Sequence, residues 1–401
     1  MFKSRMIVTG LLVALVGILV AACASVTPTP PPTVAPLPSP TPIVKVVEQT
    51  KVVEKVVTAT PAPTPTLAPT PRLGAVLING AGATFPFPLY SRWFYEYAFV
   101  DPTVRFNYQS IGSGGGIAQI TAKTVDFGAS DAILTAEQYA KAPGIQMIPI
   151  VAGPIVPIYN IRGDDGKVIT DTIRFPRTAL ADIYLGKIKK WNDPVLVQAN
   201  PNIKLPAKEI IVVARSDGSG TTFAYTDYLS QVSAEWKEKV GQGTSVKWPT
   251  GLGGKGNEGV AGTVSQNDGA IGYVEFAYAK QNRLAYGAVQ NKAGEYVLPT
   301  VEAVQSAMAD FGANMGDKLA LSIADAPGKN SWPIASYTYL LIYMDQTDCV
   351  KGKKLIEFIR WGLSDAGAKF ARELDYVPLP PEIHKAVLDK LSKVTCQGKP
   401  L

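Results

Sequence analysis

Apolar runs that look like strands recur along the chain, and several are followed by a Gly/Ser/Thr turn and then a helical pattern. Val76-Leu77-Ile78-Asn79-Gly80 reads as a strand, followed by the small-residue turn Ala81-Gly82-Ala83-Thr84-Phe85. Pro86 and Pro88 then precede Leu89-Tyr90-Ser91-Arg92-Trp93-Phe94-Tyr95. Proline fits a first helical turn, where its missing N–H is no loss, so a helix is predicted from about Pro86 with Thr84 as its cap. Val104-Arg105-Phe106-Asn107-Tyr108-Gln109 alternates like a strand, and the turn Ser110–Gly116 leads into helical Ile117–Thr121. Val125–Ala129 is a further short strand ending at Ser130-Asp131, with helix signals from Thr135-Ala136-Glu137. Ile210–Ala214 is a continuous apolar run, the turn Arg215–Thr222 follows, and Phe223–Leu229 reads as a helix. Strands alternating with helices imply an α/β fold with largely parallel sheets, in which ligands gather at the carboxyl ends of strands. Thr84, Ser113, Asp131 and Arg215 all fall at such ends.

The first 72 residues do not belong to this pattern. Met1–Ala22 carries Lys3 and Arg5, then an apolar run that ends in small residues before Cys23, as a secretory signal does. Val20-Ala21-Ala22-Cys23 resembles a bacterial lipobox, which implies a lipid on Cys23 and anchoring to the cell membrane from the extracytoplasmic side. Residues 23–72 form a Pro/Thr-rich tether suited to extended polyproline II. Within it lies the repeat Lys45-Val46-Val47-Glu48 and Lys51-Val52-Val53-Glu54, read as solvated stalk rather than as a self-association segment. The whole chain is +6, with +2 in the leader and +2 in the tether, so residues 73–401 keep only +2 and show no basic stripe. Nucleic-acid binding has no electrostatic footprint here. The remaining stretch of roughly 330 residues is long for one core and suggests two lobes. Cys349 and Cys396 remain once Cys23 is set aside. An oxidising compartment permits a disulfide between them.

The turn Arg215-Ser216-Asp217-Gly218-Ser219-Gly220-Thr221-Thr222 carries the most chemistry. A helix that starts there leaves its first N–H groups unpaired, and those groups with the helix dipole suit an anion. Ser219, Thr221 and Thr222 add hydroxyls, and Arg215 adds a planar fork of donors. Competing motifs fail on spacing. Gly251-Leu252-Gly253-Gly254-Lys255-Gly256-Asn257 is Walker-like but has Gly256 where a nucleotide loop needs Ser or Thr. Gly112-Ser113-Gly114 lacks the third glycine of a dinucleotide fingerprint, and Asp217 occupies the first glycine position of a nucleophile elbow. The single histidine, His384, reads as a solvated surface residue, which argues against a serine triad or a His-rich zinc site. No catalytic residue, metal or cofactor is expected.

Gly80–Tyr90 (GAGATFPFPLY), Ile111–Gly116 (IGSGGG), Val125–Asp131 (VDFGASD) and Arg215–Thr222 (RSDGSGTT) resemble the phosphate-binding proteins of bacterial ABC phosphate importers. So do Asp182–Trp191 (DIYLGKIKKW), Gly251–Gly259 (GLGGKGNEG) and Gly269–Lys280 (GAIGYVEFAYAK), in consistent order through residues 77–380. The resemblance implies a two-lobed periplasmic-binding-protein-like fold of type II, with mixed sheets flanked by helices and a two-segment hinge. It further implies a monomer that binds phosphate and delivers it to the transmembrane permease of an ABC importer, with no enzymatic activity. Carried over residue by residue, Thr84, Phe85, Ser113 and Asp131 bind phosphate from one lobe, and Arg215, Ser219, Gly220 and Thr221 from the other. Gly114 and Ile133 stand where relatives often carry Ser and Pro. The chain is expected to cross between lobes near Pro154–Tyr159 and Trp332–Tyr337, giving one lobe of 73–153 and 338–401 and another of 154–337.

The residue types explain themselves physically. A buried phosphate needs many donors more than it needs net charge, and Asp217 is placed to orient Arg215. Asp131 is acceptor-only when ionised, so it faces an anion favourably only if the anion brings a hydrogen. Phosphate at neutral pH has one and sulfate has none, which makes Asp131 a selectivity device. The alternatives are a binding protein for another oxyanion such as sulfate or molybdate, a secreted phosphatase using Ser219 or Thr221, and a surface sensor or adhesin on the same fold.

Overall fold

The computed structural model describes residues 74–312 and 315–401. The leader, Cys23, the tether and its Val-rich repeat lie outside the described residues.

Eight strands of the ten-stranded main sheet frame the site: β1 (Val76–Gly82), β2 (Val104–Ser110), β3 (Phe127–Ser130), β4 (Ile145–Asn160), β5 (Ile211–Arg215), β6 (Leu252–Gly254), β7 (Ala270–Glu275) and β8 (Ala335–Tyr343). Their spatial order is β2-β1-β3-β8-β4-β7-β5-β6. At each flank the pairing is parallel: β1 with β2 and β3, and β5 with β6 and β7. The centre departs from the largely parallel sheets read from the strand–helix alternation and agrees with the mixed sheets that the resemblance implies. There β8 runs antiparallel to both β3 and β4, and β4 runs antiparallel to β7. The reason is the length of β4, sixteen residues of which fifteen are buried. Its first part, from Ile145 to Pro154, pairs with β8, and its second, from Ile155 to Asn160, pairs with β7. A strand that serves two sheet halves in turn brings its antiparallel neighbours into the middle. Pro154 sits where the partner changes, and beside it Ile155 N–H donates to the Ile334 carbonyl at 2.9 Å.

Each half has its own aromatic packing. Trp93 meets Phe358 and Trp361 edge-on, and Phe94 stacks on Phe106 at 4.9 Å between centroids. In the other half Tyr225 stacks on Tyr273 at 4.2 Å, with Tyr184 and Trp248 packed around them. Buried indoles need a partner for their single donor. Trp93 donates to the Gly367 carbonyl and Trp191 to the Gly269 carbonyl.

The helices that matter for the site follow strands directly: α1 (Phe87–Val100) after β1, α2 (Ser113–Thr121) after β2, α3 (Ala136–Lys141) after β3, α4 (Gly220–Val232) after β5, α5 (Gly256–Gln266) after β6 and α6 (Phe276–Gln281) after β7. Helix α1 begins later than expected. Pro86 is its cap, and the Thr84 side chain makes no cap bond to it. Helix α4 begins three residues earlier than Phe223, capped by Ser219, whose side chain accepts from Thr222 N–H. Cys349 and Cys396 form a disulfide with Cα atoms 5.4 Å apart. His384 is half-buried rather than freely solvated.

Candidate anion-binding site

The carboxyl ends of β1, β2 and β3 face those of β5 and β6, and helices α2, α4 and α5 all begin in the gap. Ser113 is the first residue of α2 and is fully buried. Its Oγ accepts from Asp131 N–H at 3.2 Å and from Gly220 N–H, across the gap, at 3.0 Å. A second bond across the gap runs from Gly114 N–H to the Gly218 carbonyl at 2.9 Å. Two glycines make this approach possible. A Cβ on Gly220 would lie 2.5 Å from Ser113 Oγ and 2.6 Å from Asp131 Oδ2. Gly112 holds φ at +86°, and a Cβ there would lie 2.3 Å from Asp217 Oδ2. Neither position leaves room for a side chain.

A residue that sequence reasoning missed ties the gap together. Asn257, fully buried in the first turn of α5, donates from Nδ2 to Thr84 Oγ1 at 2.7 Å and to Thr221 Oγ1 at 3.2 Å. Its backbone N–H also donates to Thr84 Oγ1 at 3.2 Å, and its Oδ1 accepts from Glu275 N–H at 3.0 Å. All four candidate hydroxyls are therefore already accepting from protein N–H groups: Thr84 and Thr221 from Asn257, Ser113 from Asp131 and Gly220, Ser219 from Thr222. A hydroxyl with its acceptor side engaged has its single hydrogen left to give. The segment Gly251–Gly259, which carries part of the family resemblance, contains Asn257, but the resemblance assigns that residue no role at the site.

The Thr84–Phe85 turn is held by its carbonyls. Those of Ala83, Thr84 and Phe85 accept from the hydroxyls of Tyr108, Tyr278 and Tyr376 at 2.8, 2.6 and 2.6 Å. A trans peptide sets C=O and N–H on opposite sides, so the Tyr278 bond to the Thr84 carbonyl aims the Phe85 N–H away from Tyr278.

Two charged side chains complete the site, each nearly fully buried. Arg215 forms a bidentate pair with Asp217, Nε to Oδ1 at 2.8 Å and Nη2 to Oδ2 at 2.5 Å, which leaves Nη1 buried without a hydrogen-bond partner. Burial pushes the Asp217 carboxyl up, but Arg215 more than offsets this and holds it below the usual carboxylate range. Asp217 Oδ1 also accepts from Gly256 N–H at 3.0 Å. Asp131 accepts from Thr338 Oγ1 at 2.8 Å through Oδ1, while its Oδ2 is buried and unpartnered. It does not cap α3, whose capping box is made by Thr135 and Gln138. Burial raises the Asp131 carboxyl to about 7, with Thr338 and Arg215 pulling it partly back. Buried polar groups normally find partners, so an orphan carboxylate oxygen and an orphan guanidinium nitrogen in one donor-lined cleft mark a place for a ligand with both acceptor and donor atoms. The structure thus brings together Thr84, Ser113, Asp131, Arg215, Asp217, Ser219, Gly220 and Thr221, with Phe85 in the adjoining turn.

A polar cleft between two α/β halves is a place where a small ligand binds. A family model described as a PBP superfamily domain matches residues 56–366. The phosphate-binding protein PstS of Xylella fastidiosa (strain Temecula1 / ATCC 700964) is 47% identical over 314 residues, covering 78% of this chain and 84% of that one. The PstS of Pasteurella multocida is 48% identical over 309 residues, covering 77% and 88%, and that of Methanocaldococcus jannaschii is 35% identical over 340 residues, covering 80% and 86%. The chain belongs to the PstS family of phosphate-binding proteins within the PBP superfamily. Among solved structures, a DING protein superposes with TM-score 0.62 at 20% identity, covering 80% of this chain and 99% of that one. The periplasmic phosphate-binding protein PfluDING, solved with phosphate bound, gives 0.59 at 19% identity, covering 78% and 93%. At these identities the likeness establishes the fold. The three PstS relatives above carry the name of phosphate-binding proteins.

Proposed function

We propose that this protein captures inorganic phosphate outside the cytoplasm and delivers it to the transmembrane permease of an ABC importer. The observation that carries this reading is the pairing of two orphaned atoms, Asp131 Oδ2 and Arg215 Nη1, within a ring of hydroxyls whose hydrogens are free to be donated. The names of the relatives point the same way. Phosphate oxygens accept from the hydroxyls of Thr84, Ser113, Ser219 and Thr221, from the N–H groups of Phe85 and Gly220, and from Arg215. The one phosphate hydroxyl donates to Asp131 Oδ2. Three helix N-termini contribute roughly half a positive charge each. With Arg215 already paired to Asp217, those dipoles and hydroxyls carry much of the stabilisation of the anion.

Binding then exchanges one set of bonds for another. The Gly220–Ser113 bond links the two halves directly, and phosphate takes over Gly220 N–H while keeping the halves together. The lobes in this reading are 73–153 with 338–401, and 154–337, moving about Pro154–Tyr159 and Trp332–Tyr337. The chain acts as a monomer held to the membrane by a lipid on Cys23, with the Pro/Thr tether as spacer. Calorimetric titration of the purified protein tests the reading: phosphate should bind tightly and sulfate weakly, and comparable affinities would overturn it.

A further inference from the structure

Glu275 ends β7 with its side chain fully buried and no lysine or arginine bonded to it among the described residues. Both carboxyl oxygens lie 3.0 Å from Ala277 N, the start of α6. Oε2 also lies 2.9 Å from Tyr376 Oη, which itself lies 2.6 Å from the Phe85 carbonyl. A phenol has one hydrogen, and an ionised carboxylate has none. If the Tyr376 hydrogen goes to the Phe85 carbonyl, the closer oxygen, an ionised Glu275 would leave two buried oxygens facing each other with nothing between them. A hydrogen on Glu275 Oε2 completes both bonds in one chain, from Glu275 to Tyr376 to Phe85.

The surroundings favour the neutral acid. The groups that face Glu275 are Asp375 and Tyr376 from the segment after residue 374, Asp131 from the end of β3, and Tyr278 from α6. Lys280, the nearby cation, is engaged with Asp375 at 2.7 Å. Burial pushes the Glu275 carboxyl well up, and Asp375 and Asp131 add to this.

We propose that Glu275 carries a proton at neutral pH and, through Tyr376, is the positioning residue that fixes the Thr84–Phe85 turn for phosphate. Its consequence for binding rests on the phosphate reading above; its protonation does not. When Glu275 ionises, it draws the Tyr376 hydrogen to itself, the Phe85 carbonyl loses its donor, and the turn is released. Alkaline pH therefore weakens phosphate binding through a group that does not touch the ligand.

Infrared difference spectroscopy of phosphate-saturated wild type against Glu275→Gln at pH 7 tests the proton directly. The C=O stretch of a protonated carboxyl should be present in the wild type and missing from the variant; its absence from the wild type would overturn the assignment. Glutamine can still accept from Ala277 and donate to Tyr376. Glu275→Gln should thus keep phosphate affinity within about twofold at pH 7, while Glu275→Ala and Tyr376→Phe lose about tenfold, the order expected for one buried hydrogen bond. As the pH is raised from neutral into the alkaline range the wild type should lose affinity and Glu275→Gln should not. A glutamine variant as impaired as the alanine variant, or parallel pH profiles, would overturn the positioning role. If Glu275→Gln does not fold, loss of the wild-type carboxyl band on raising the pH makes the same test, and a band that never appears overturns it. A wild type that shows the band yet binds no phosphate would instead sink the functional reading.

Discussion

In Asp131→Asn the side chain keeps its shape and loses its charge. The asparagine Oδ1 can retain the 2.8 Å bond from Thr338, so the exchange falls on the position of Oδ2, where an amide N–H replaces the buried, unpartnered carboxylate oxygen. Sulfate in the wild type would bring only acceptor oxygens against that atom. An unmet buried polar group costs about 1–3 kcal/mol, and more when charged, so the wild type should reject sulfate by at least roughly 100-fold. The variant removes that penalty and offers a donor, and sulfate should gain roughly tenfold or more. Phosphate loses a bond to a charged acceptor, about 1.5–3 kcal/mol, and should weaken by roughly 10- to 100-fold. Paired calorimetric titrations of wild type and variant with both anions read this out. An unchanged phosphate-to-sulfate ratio in the variant would mean that the carboxylate has no part in choosing the ligand.

Four further outcomes follow from the same geometry. Asp217→Asn leaves Arg215 without its bidentate carboxylate, so phosphate affinity should fall by roughly 10- to 100-fold, measured by calorimetry, with little change in fold by circular dichroism. Asn257→Ala strips a partner from Thr84, Thr221 and Glu275 N–H at once; stability in urea should drop by about 1–3 kcal/mol, with weaker phosphate binding. Because folding raises the Asp131 carboxyl from 3.8 to about 7, its contribution to stability is present below about pH 4 and is lost as the pH rises to 7. Phosphate-free Asp131→Asn should therefore gain up to about 4 kcal/mol relative to wild type at pH 8 and nothing at pH 3, seen as a pH-dependent difference in Tm. Replacing Cys349 and Cys396 with serine opens a loop spanning a 47-residue separation, and should lower stability by at most about 4 kcal/mol in the chain-entropy account while leaving phosphate affinity unchanged.

How far the fold could be read from the sequence depended on whether the signal was local. The strand–turn–helix units at β1, β2, β3 and β5 each announced themselves in a short window, because apolar runs and Gly/Ser turns are adjacent in the chain. The antiparallel centre did not. It follows from β4 changing partners at Pro154, and pairing with strands more than a hundred residues away leaves no local trace. Thr84 illustrates a local rule displaced by tertiary structure: it was expected to cap α1, but its hydroxyl is taken by Asn257, 173 positions along the chain. Glu275, Tyr278 and Tyr376 were invisible for the same reason, since a buried carboxyl or phenol is distinguished only by what reaches it. Asn257 was legible in principle. A three-residue strand, Leu252–Gly254, runs through Lys255 into the helix from Gly256, so its window is shorter and less apolar than those of the other turns.

In the reading proposed above, this cleft accepts an anion only if the anion brings a hydrogen for Asp131. Titration of the wild-type protein side by side with phosphate, sulfate and molybdate at pH 8, above the value of about 7 to which burial raises the Asp131 carboxyl, reads this out. Tight binding of phosphate, with the two fully deprotonated oxyanions weaker by at least roughly 100-fold, is the expected result. Binding of sulfate or molybdate at the level of phosphate would contradict it.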